Sequence, residues 1–332
     1  MESYQIIYFL KNPLNESKIL GANNSLLSFL QEILEIELFI HQAEVKIKEK
    51  DFQQKEYLIK LFTILEDLLD NGINLSARDL ITITKNVKEG TIDALKKLYL
   101  QRDVIITLYN GKAIYPKSLH QQNYLKALKE NEIIFSYGPA GTGKTYLAVL
   151  FAVNLLKRHE VKKIILVRPV VEAGEKLGFL PGDLKEKIDP YLTPLYDALS
   201  DCLGKETSEK MMEKGIIEVA PLAYMRGRTL DNAIIILDEA QNTTKVQMKM
   251  FLTRLGFGSK MIITGDITQI DLPNKSSSGL LEALNITQNI KGVSHIQFDA
   301  SDVMRHPLVF KIVQRYNDLS KSLEKDNENN CS

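Results

Sequence analysis

The sequence has no excess of charge of either sign. Its 332 residues include 42 Lys and Arg and 42 Asp and Glu, which gives a formal net charge of zero at pH 7. A neutral chain creates no long-range field that would draw it onto nucleic acid or onto an anionic membrane. Any binding to a polyanion must therefore be local and must rely on a few well-placed side chains.

Cysteine, clustered histidine and long apolar runs are also scarce. The two cysteines, Cys202 and Cys331, are far apart, and the five histidines are scattered singly. This pattern supports neither a disulfide framework nor a zinc site. The N-terminus lacks the basic start and apolar stretch of a signal peptide, and no apolar run is long enough to span a bilayer. We therefore expect a soluble, cytoplasmic protein with no membrane partner.

Residues 1–100 predict a small α+β domain. Short apolar strand patterns alternate with helical patterns, and Ser76, with Asp79 three positions later, is a typical pair for the start of a helix. The predicted elements are strands at 5–10, 36–40 and 43–48 and helices at 24–34 and 52–69. No residue type or spacing in this region indicates catalysis.

Residues 101–116 predict a hairpin that separates this domain from a larger one. Two short strand-like pieces flank the dipeptide Asn110-Gly111, which is a strong hairpin signal. From 117 to 320, strands and helices alternate, which is typical of a parallel sheet with helices on both faces. The strand patterns lie at 133–137, 163–167, 216–221, 233–237, 260–264 and 294–298. Residues 321–332 are polar, and we expect them to form a disordered tail.

Residues 138–145 match the pattern G-x-x-x-x-G-K-[ST] in full, after a predicted strand and at the start of a predicted helix. The glycines let the backbone curl so that its N–H groups and the helix N-terminus face a triphosphate. Lys144 then reaches the β- and γ-phosphates, and the Thr145 hydroxyl is a ligand for Mg²⁺. The pattern predicts a P-loop NTPase in which the nucleotide is held by Gly138, Pro139, Ala140, Gly141, Thr142, Gly143, Lys144 and Thr145.

Two acidic residues follow the apolar strand pattern at 233–237. Ligands bind at the carboxyl ends of strands in open α/β sheets, and we expect this strand to be a neighbour of the P-loop strand. Asp238 is predicted to hold Mg²⁺ through water, and Glu239 to orient and deprotonate the attacking water. A kinase of small molecules would not need Glu239 in that role, so the pair favours hydrolysis over phosphoryl transfer.

Two further groups are candidates for contacts with the nucleotide. Asp266 and Gln269 follow the strand pattern at 260–264, where a γ-phosphate sensor is expected, and would couple the nucleotide state to the position of this loop.

Gln121 lies near the start of the helix that precedes the P-loop strand. Its amide has a donor and an acceptor with which to read the adenine edge. The plain alternative is an exposed glutamine on a helix.

Several longer motifs accompany the P-loop. They are DEAQN at 238–242, VRPVVEAGE at 167–175, LGFLPGD at 177–183, MRGRTL at 225–230 and RHPLV at 305–309. With these motifs the sequence resembles the PhoH family of ATPases over about residues 115–317. The resemblance implies a RecA-like core that uses ATP and Mg²⁺. The PhoH family is similar to the first motor domain of superfamily 1 helicases, and it lacks their second motor domain.

The lack of a second motor domain leaves one side of the nucleotide open. The resemblance therefore implies that a positive charge reaches the γ-phosphate from the same chain or from a neighbouring subunit. Arg305 is the candidate for this role, with Arg226 and Arg228 as rivals. Such contacts between subunits close into rings, so the resemblance implies a homo-oligomeric ring, with six subunits as the suggested number.

The N-terminal region of the family resembles a KH-like module. A KH loop needs Gly-x-x-Gly to approach the phosphates of RNA, whereas this chain has Gly21-Ala22-Asn23-Asn24. Two roles therefore stay open for this domain, RNA binding and a role in interaction or assembly.

The function that follows from the resemblance is that of an Mg²⁺-dependent ATPase acting on RNA or in ribosome-associated RNA processing, with helicase-like work as one form of it. Arg168, Arg226 and Arg228 are the candidates for a basic lining at the nucleic-acid face. The alternative is a nucleotide-dependent assembly switch without motor activity. A third hypothesis, a small-molecule phosphotransferase, requires an acceptor pocket and a lid.

Overall fold

The computed structural model describes residues 3–100, 104–169, 184–299, 302, 303 and 315. Arg305 and the predicted disordered tail at 321–332 lie outside the described residues, as do most of the motifs at 167–175, 177–183 and 305–309. None of the helices within the described ranges combines the length and the apolar character that a bilayer span requires.

Residues 3–100 contain an antiparallel sheet and a set of helices, as the α+β pattern predicts. The elements are β1 (Tyr4–Phe9), α1 (Asn15–Leu20), α2 (Ser25–Leu34), β2 (Leu38–His41), β3 (Glu44–Lys48), α3 (Lys55–Asp70), α4 (Ala77–Glu89) and α5 (Ile92–Leu100). The order of the strands is β1-β3-β2. The predicted strands and helices are confirmed to within a few residues, whereas α1 and α5 go beyond the prediction.

The packing of this region follows from apolar spacing and from one capping pair. The buried face of α3 is made of side chains three or four positions apart, namely Leu58, Leu61, Phe62, Leu65, Leu68 and Leu69. The predicted start of α4 is confirmed, because the Asp79 carboxylate accepts a hydrogen bond from Ser76 N at 2.8 Å. The Tyr99 hydroxyl donates to the same carboxylate at 2.7 Å and so ties α5 to the start of α4.

A short hairpin, β4 (Ile106–Thr107) and β5 (Ala113–Ile114), follows these helices and turns at Asn110-Gly111. One group of packed, buried apolar residues comes entirely from 7–99, whereas two other groups come from 105–298. On this basis we propose that the hairpin marks the boundary between two domains.

The remainder of the described chain is built around a six-stranded sheet in which each pair of neighbours is parallel, as the α/β pattern predicts. The strands are β6 (Ile133–Tyr137), β7 (Lys163–Arg168), β8 (Ile217–Pro221), β9 (Ala233–Leu237), β10 (Lys260–Gly265) and β11 (Val293–Gln297). The helices are α6 (Leu119–Glu130), α7 (Lys144–Lys157), α8 (Leu184–Leu203), α9 (Lys205–Glu213), α10 (Lys245–Leu252) and α11 (Gly279–Ile286). The order across the sheet is β11-β6-β10-β9-β7-β8.

Helices cover both faces of this sheet. Along β9, Ile234 and Ile236 pack into one core with side chains of α7 and α8. Ile235, which points the other way, packs into a second core with side chains of α10 and α11. This alternation explains why β9 is apolar at each of its positions, since neither face meets water.

The order of the strands corrects one expectation. The strand that ends before Asp238 was expected beside the P-loop strand, but β10 lies between β6 and β9. Because the three strands are parallel, Tyr137, Leu237 and Gly265 end at the same edge of the sheet. The P-loop and the acidic pair therefore approach each other across the end of β10.

Candidate functional site

The P-loop connects β6 to α7, as its sequence pattern predicts. Gly143 stands at the N-terminal cap of α7 with a φ of 86°, in the left-handed region. Gly138 has a φ of 138°, and a Cβ placed on it would lie 2.3 Å from the backbone oxygen of Phe298. Only glycine fits at that point, so the loop is packed tightly against the segment that follows β11.

Lys144 is buried and folds back over its own loop. Its Nζ donates to the carbonyl oxygens of Gly138 and Pro139, at 2.7 and 2.8 Å. The ammonium group therefore lies at the mouth of the loop, where the N–H groups of a P-loop face phosphate.

The carboxylate of Asp238 joins the ends of three elements. Its Oδ1 accepts hydrogen bonds from the hydroxyls of Thr145, in α7, and Thr264, in β10, each at 2.6 Å. Both Asp238 and Thr264 are buried. Thr264 is a functional candidate that the sequence reasoning missed, although a polar residue near the end of an apolar strand was a signal for it.

Glu239 adopts the left-handed conformation, with a φ of 54°, which is sparsely populated for a residue with a side chain. Its two carboxylate oxygens have different partners. Oε1 lies 3.2 Å from Nη2 of Arg168, and Oε2 accepts a hydrogen bond from Nε2 of Gln241 at 2.6 Å. Burial and the charge of Asp238 raise the pKa of the Glu239 carboxyl, against the opposing effects of Gln241, Arg168 and Lys144.

Asp266 contacts the P-loop directly. Its Oδ2 accepts hydrogen bonds from the backbone N–H of Ala140 at 3.1 Å and from Nε2 of Gln269 at 2.8 Å. The structure thus brings Asp266 and Gln269 together beside the loop, and their role as a sensor of bound phosphate stays a prediction.

Gln241 links the two acidic strand ends, and the sequence reasoning did not single it out. Besides its bond to Glu239, its Oε1 accepts from the backbone N–H of Asp266 at 3.0 Å, and its Nε2 donates to the carbonyl of Gln269 at 3.2 Å. A Cβ on Gly265 would lie 2.9 Å from the same Oε1, so a glycine there allows the close approach. The signal for Gln241 was its place in the DEAQN motif.

Gln121 is buried, and its amide bonds to the protein on both sides. Nε2 donates to the carbonyl of Thr142 at 3.0 Å, and Oε1 accepts from the backbone N–H of Lys117 at 2.7 Å. The Gln121 amide therefore stabilises the P-loop through its bond to Thr142. The predicted contact of Gln121 with adenine stays a prediction.

The candidate arginines have different partners in the structure. Arg168 reaches Glu239, whereas Arg228 binds Glu218 with both terminal nitrogens, at 2.6 and 2.8 Å. These hydrogen bonds lower the pKa of the Glu218 carboxyl. Arg226 is exposed, after a short 3₁₀ turn that follows β8. Arg305 lies outside the described residues.

The polar groups at the carboxyl edge of the sheet fit a magnesium ion and a nucleoside triphosphate. The Thr145 hydroxyl and the Asp238 carboxylate are hard oxygen groups of the kind that Mg²⁺ prefers, and a hydrogen bond of 2.6 Å holds them together. The glycine-rich loop and the Lys144 ammonium lie beside them and suit phosphate oxygens. These groups meet at one edge of the sheet, and a P-loop NTPase fold binds its nucleotide with groups of these kinds.

The chain is similar to proteins of one family. The profile of the PhoH-like protein family matches residues 113–317. The chain is 52% identical to a PhoH-like protein of Bacillus subtilis, over 92% of this chain and 95% of that protein. It is 44% identical to a PhoH-like protein of Synechocystis, over 92% and 93% of the two chains. Among solved structures it is similar to the UvsW helicase from bacteriophage T4, with 13% identity, a TM-score of 0.36 and coverage of 64% and 67%.

The Thr264 hydroxyl generates a testable prediction. Thr264→Val removes one donor from the buried Asp238 carboxylate and should lower the free energy of unfolding by about 1–3 kcal/mol. Urea unfolding followed by circular dichroism measures this change. The matched control is Thr107→Val, at an exposed strand position, which should change stability by less than about 0.5 kcal/mol. Equal effects of the two variants would contradict the importance of the bond.

Proposed function

The chain belongs to the PhoH-like protein family, and on that premise we propose that it is an Mg²⁺-dependent ATPase that acts on RNA. The observation that carries the proposal is the meeting of Lys144, Thr145, Asp238 and Glu239 at one edge of the sheet, through the bonds described above. Binding groups and a candidate base for water activation are thus present in one place. That combination favours hydrolysis over transfer of the phosphoryl group to a small molecule.

Each residue has a distinct part in the proposed reaction. Mg²⁺, when bound, would offset charge on the phosphate oxygens, and the Thr145 hydroxyl and the Asp238 carboxylate are the groups that would hold it. Lys144 would bind phosphate oxygens in place of the loop carbonyls that it now contacts. Glu239 would orient the attacking water and accept its proton on the carboxylate.

Asp266 supports a link between the nucleotide and the surrounding loops. Its carboxylate now accepts from the Ala140 N–H of the P-loop, so a phosphate at that N–H would repel it. Movement of Asp266 would be passed to Gln269 and Gln241, which are both bonded to residue 266. This contact favours the second candidate function, a nucleotide-dependent assembly switch without motor activity.

Arg305 is our candidate for the positive charge that completes the site, acting within one subunit or between subunits of a homo-oligomeric ring. Of its two rivals, Arg228 is the weaker, because Glu218 already binds both of its terminal nitrogens. Arg226 is exposed and stays a candidate. An arginine in this role is worth about 10³-fold or more in rate in related reactions.

Substitutions at the site should separate binding from hydrolysis. Lys144→Ala should weaken ATP binding and abolish turnover, and Asp238→Asn should abolish turnover. Glu239→Gln should keep ATP binding while turnover falls by about 10²–10⁴-fold, because the water loses its base. Phosphate release and the affinity for a fluorescent ATP analogue are the two measurements. The control is Lys129→Ala, at an exposed position in the last turn of α6. Retained turnover in Glu239→Gln would overturn the assignment of the base.

The RNA part of the proposal is tested by ATPase rates with and without a uridine homopolymer RNA, across a range of NaCl concentrations. We expect stimulation that falls steeply with salt, because contacts to the phosphate backbone release counterions. A strand-separation assay on duplex RNA runs beside it. Nucleotide-dependent assembly with neither stimulation nor unwinding would reject the motor and favour the switch.

A further inference from the structure

Gln241 lies between the proposed base and the strand end that carries Asp266, and it is buried, with 1% of the residue exposed. Its amide makes three hydrogen bonds. Nε2 donates to Oε2 of Glu239 at 2.6 Å and to the backbone carbonyl of Gln269 at 3.2 Å, and Oε1 accepts from the backbone N–H of Asp266 at 3.0 Å. A primary amide has two N–H donors, so these bonds use both donors of Gln241.

The backbone of the loop after β10 decides which way this amide faces. The N–H of Asp266 can only donate and the carbonyl of Gln269 can only accept. A flipped amide would therefore place its N–H groups against a donor and its oxygen against two acceptors, the Gln269 carbonyl and the Glu239 carboxylate. All three contacts would then be repulsive. Because backbone groups set this orientation, the NH₂ group of Gln241 faces Glu239 whatever the Glu239 side chain does.

The backbone of Gln241 is anchored as well. Its carbonyl accepts a hydrogen bond at 2.8 Å from the hydroxyl of Ser278, a buried residue at the start of α11. Gly265, at the end of β10, leaves space for the amide on the other side, as described above. Gln241 is thus a rigid donor whose position is set by two neighbouring elements.

Glu239 is much less constrained by its own structure. Its side chain is 37% exposed and has three rotatable bonds, so several rotamers are open to it in water. A general base must lie within hydrogen-bond reach of the water that it deprotonates. A misplacement of about 1 Å in a reacting group costs about 10²-fold in rate. The Glu239 carboxylate therefore needs a fixed partner, and Gln241 is such a partner.

We infer that Gln241 is a positioning residue, whose amide holds the Glu239 carboxylate in the orientation that hydrolysis requires. The inference rests on the proposed ATPase function. Asp266, whose N–H orients the amide, also accepts a hydrogen bond from the Ala140 N–H of the P-loop. The strand end that orients the base through Gln241 is thus the same strand end that contacts the nucleotide loop.

The first test compares turnover with nucleotide binding. Gln241→Met keeps the length of the side chain and removes the donor, so kcat for ATP should fall by about 10–100-fold. The affinity for a fluorescent ATP analogue should stay within about twofold of the wild-type value. In a Glu239→Gln background the same substitution should lower the single-turnover rate by less than about twofold, because a residue that acts through the base has no effect once the base is lost.

The matched control is Asn242→Ala. Asn242 is the next residue, is also buried, and its side chain binds the same loop through two hydrogen bonds with Asp271, at 2.9 and 3.3 Å. Its loss removes a contact with that loop but keeps the Gln241 amide, so kcat should stay within about threefold of the wild-type value. A loss of kcat equal to that of Gln241→Met would indicate a general disturbance of the loop and would overturn the inference.

The second test needs no turnover and uses the protein without nucleotide. A bond between Gln241 and Glu239 makes the effects of their substitutions on stability non-additive. Gln241→Met should lower the urea midpoint of the wild-type protein, and this shift should be smaller in a Glu239→Ala background. Circular dichroism measures all four proteins. If Gln241→Met does not fold, Gln241→Ala, which leaves room for water at the Asp266 N–H, takes its place in both tests.

The outcomes separate the positioning role from the function on which it rests. Unchanged kcat in Gln241→Met, or the same fold-loss in the Glu239→Gln background, would overturn the positioning role. Equal midpoint shifts in the two backgrounds would show that the residues do not interact, and would also overturn it. A wild-type protein that hydrolyses no ATP would instead reject the proposed ATPase and with it any role of Gln241 in the reaction, whereas the stability cycle would still decide on the contact.

Discussion

Two hydroxyl groups donate to one carboxylate oxygen, and the geometry of the site depends on this shared contact. Thr145 belongs to α7, Thr264 to β10, and their common acceptor Asp238 follows β9. A buried carboxylate is unfavourable unless it is hydrogen-bonded, so the two bonds fix the P-loop helix relative to two strand ends. The P-loop strand and the acidic strand do not touch, and Thr264 bridges the gap between them.

A second layer of contacts extends from this point. Glu239 follows Asp238 directly, and Gln241 connects it to the strand end that carries Asp266. Asp266 in turn accepts from the P-loop at Ala140. These contacts form a continuous hydrogen-bond network that links the P-loop to the ends of β9 and β10. A change in the charge at the P-loop can therefore act, through these hydrogen bonds, on Glu239, the proposed base, and on the loop after β10.

The amino-acid sequence predicted the strands of the larger sheet well, because β9 is an apolar run followed by Asp238 and β6 is a mostly apolar run followed by the glycine-rich loop at Gly138. It could not predict their order. A strand pattern shows which residues follow the end of a strand, and ligands are expected beside those residues. No local feature of the sequence, however, predicts that β10 lies between β6 and β9. For the same reason Thr264, and the pairing of Arg168 with Glu239, needed the structure. These partners are more than twenty residues apart, and only the sheet brings them together.

The central claim is that the edge formed by the P-loop and Asp238 binds ATP together with Mg²⁺. The most direct measurement is calorimetric titration of the wild-type protein with ATP, first in Mg²⁺ and then with EDTA in its place. We expect stoichiometric binding in Mg²⁺ that is weakened when the ion is removed, because Thr145 and Asp238 then have no cation to hold beside the phosphates. Equally tight binding in EDTA, or no binding under either condition, would contradict the claim.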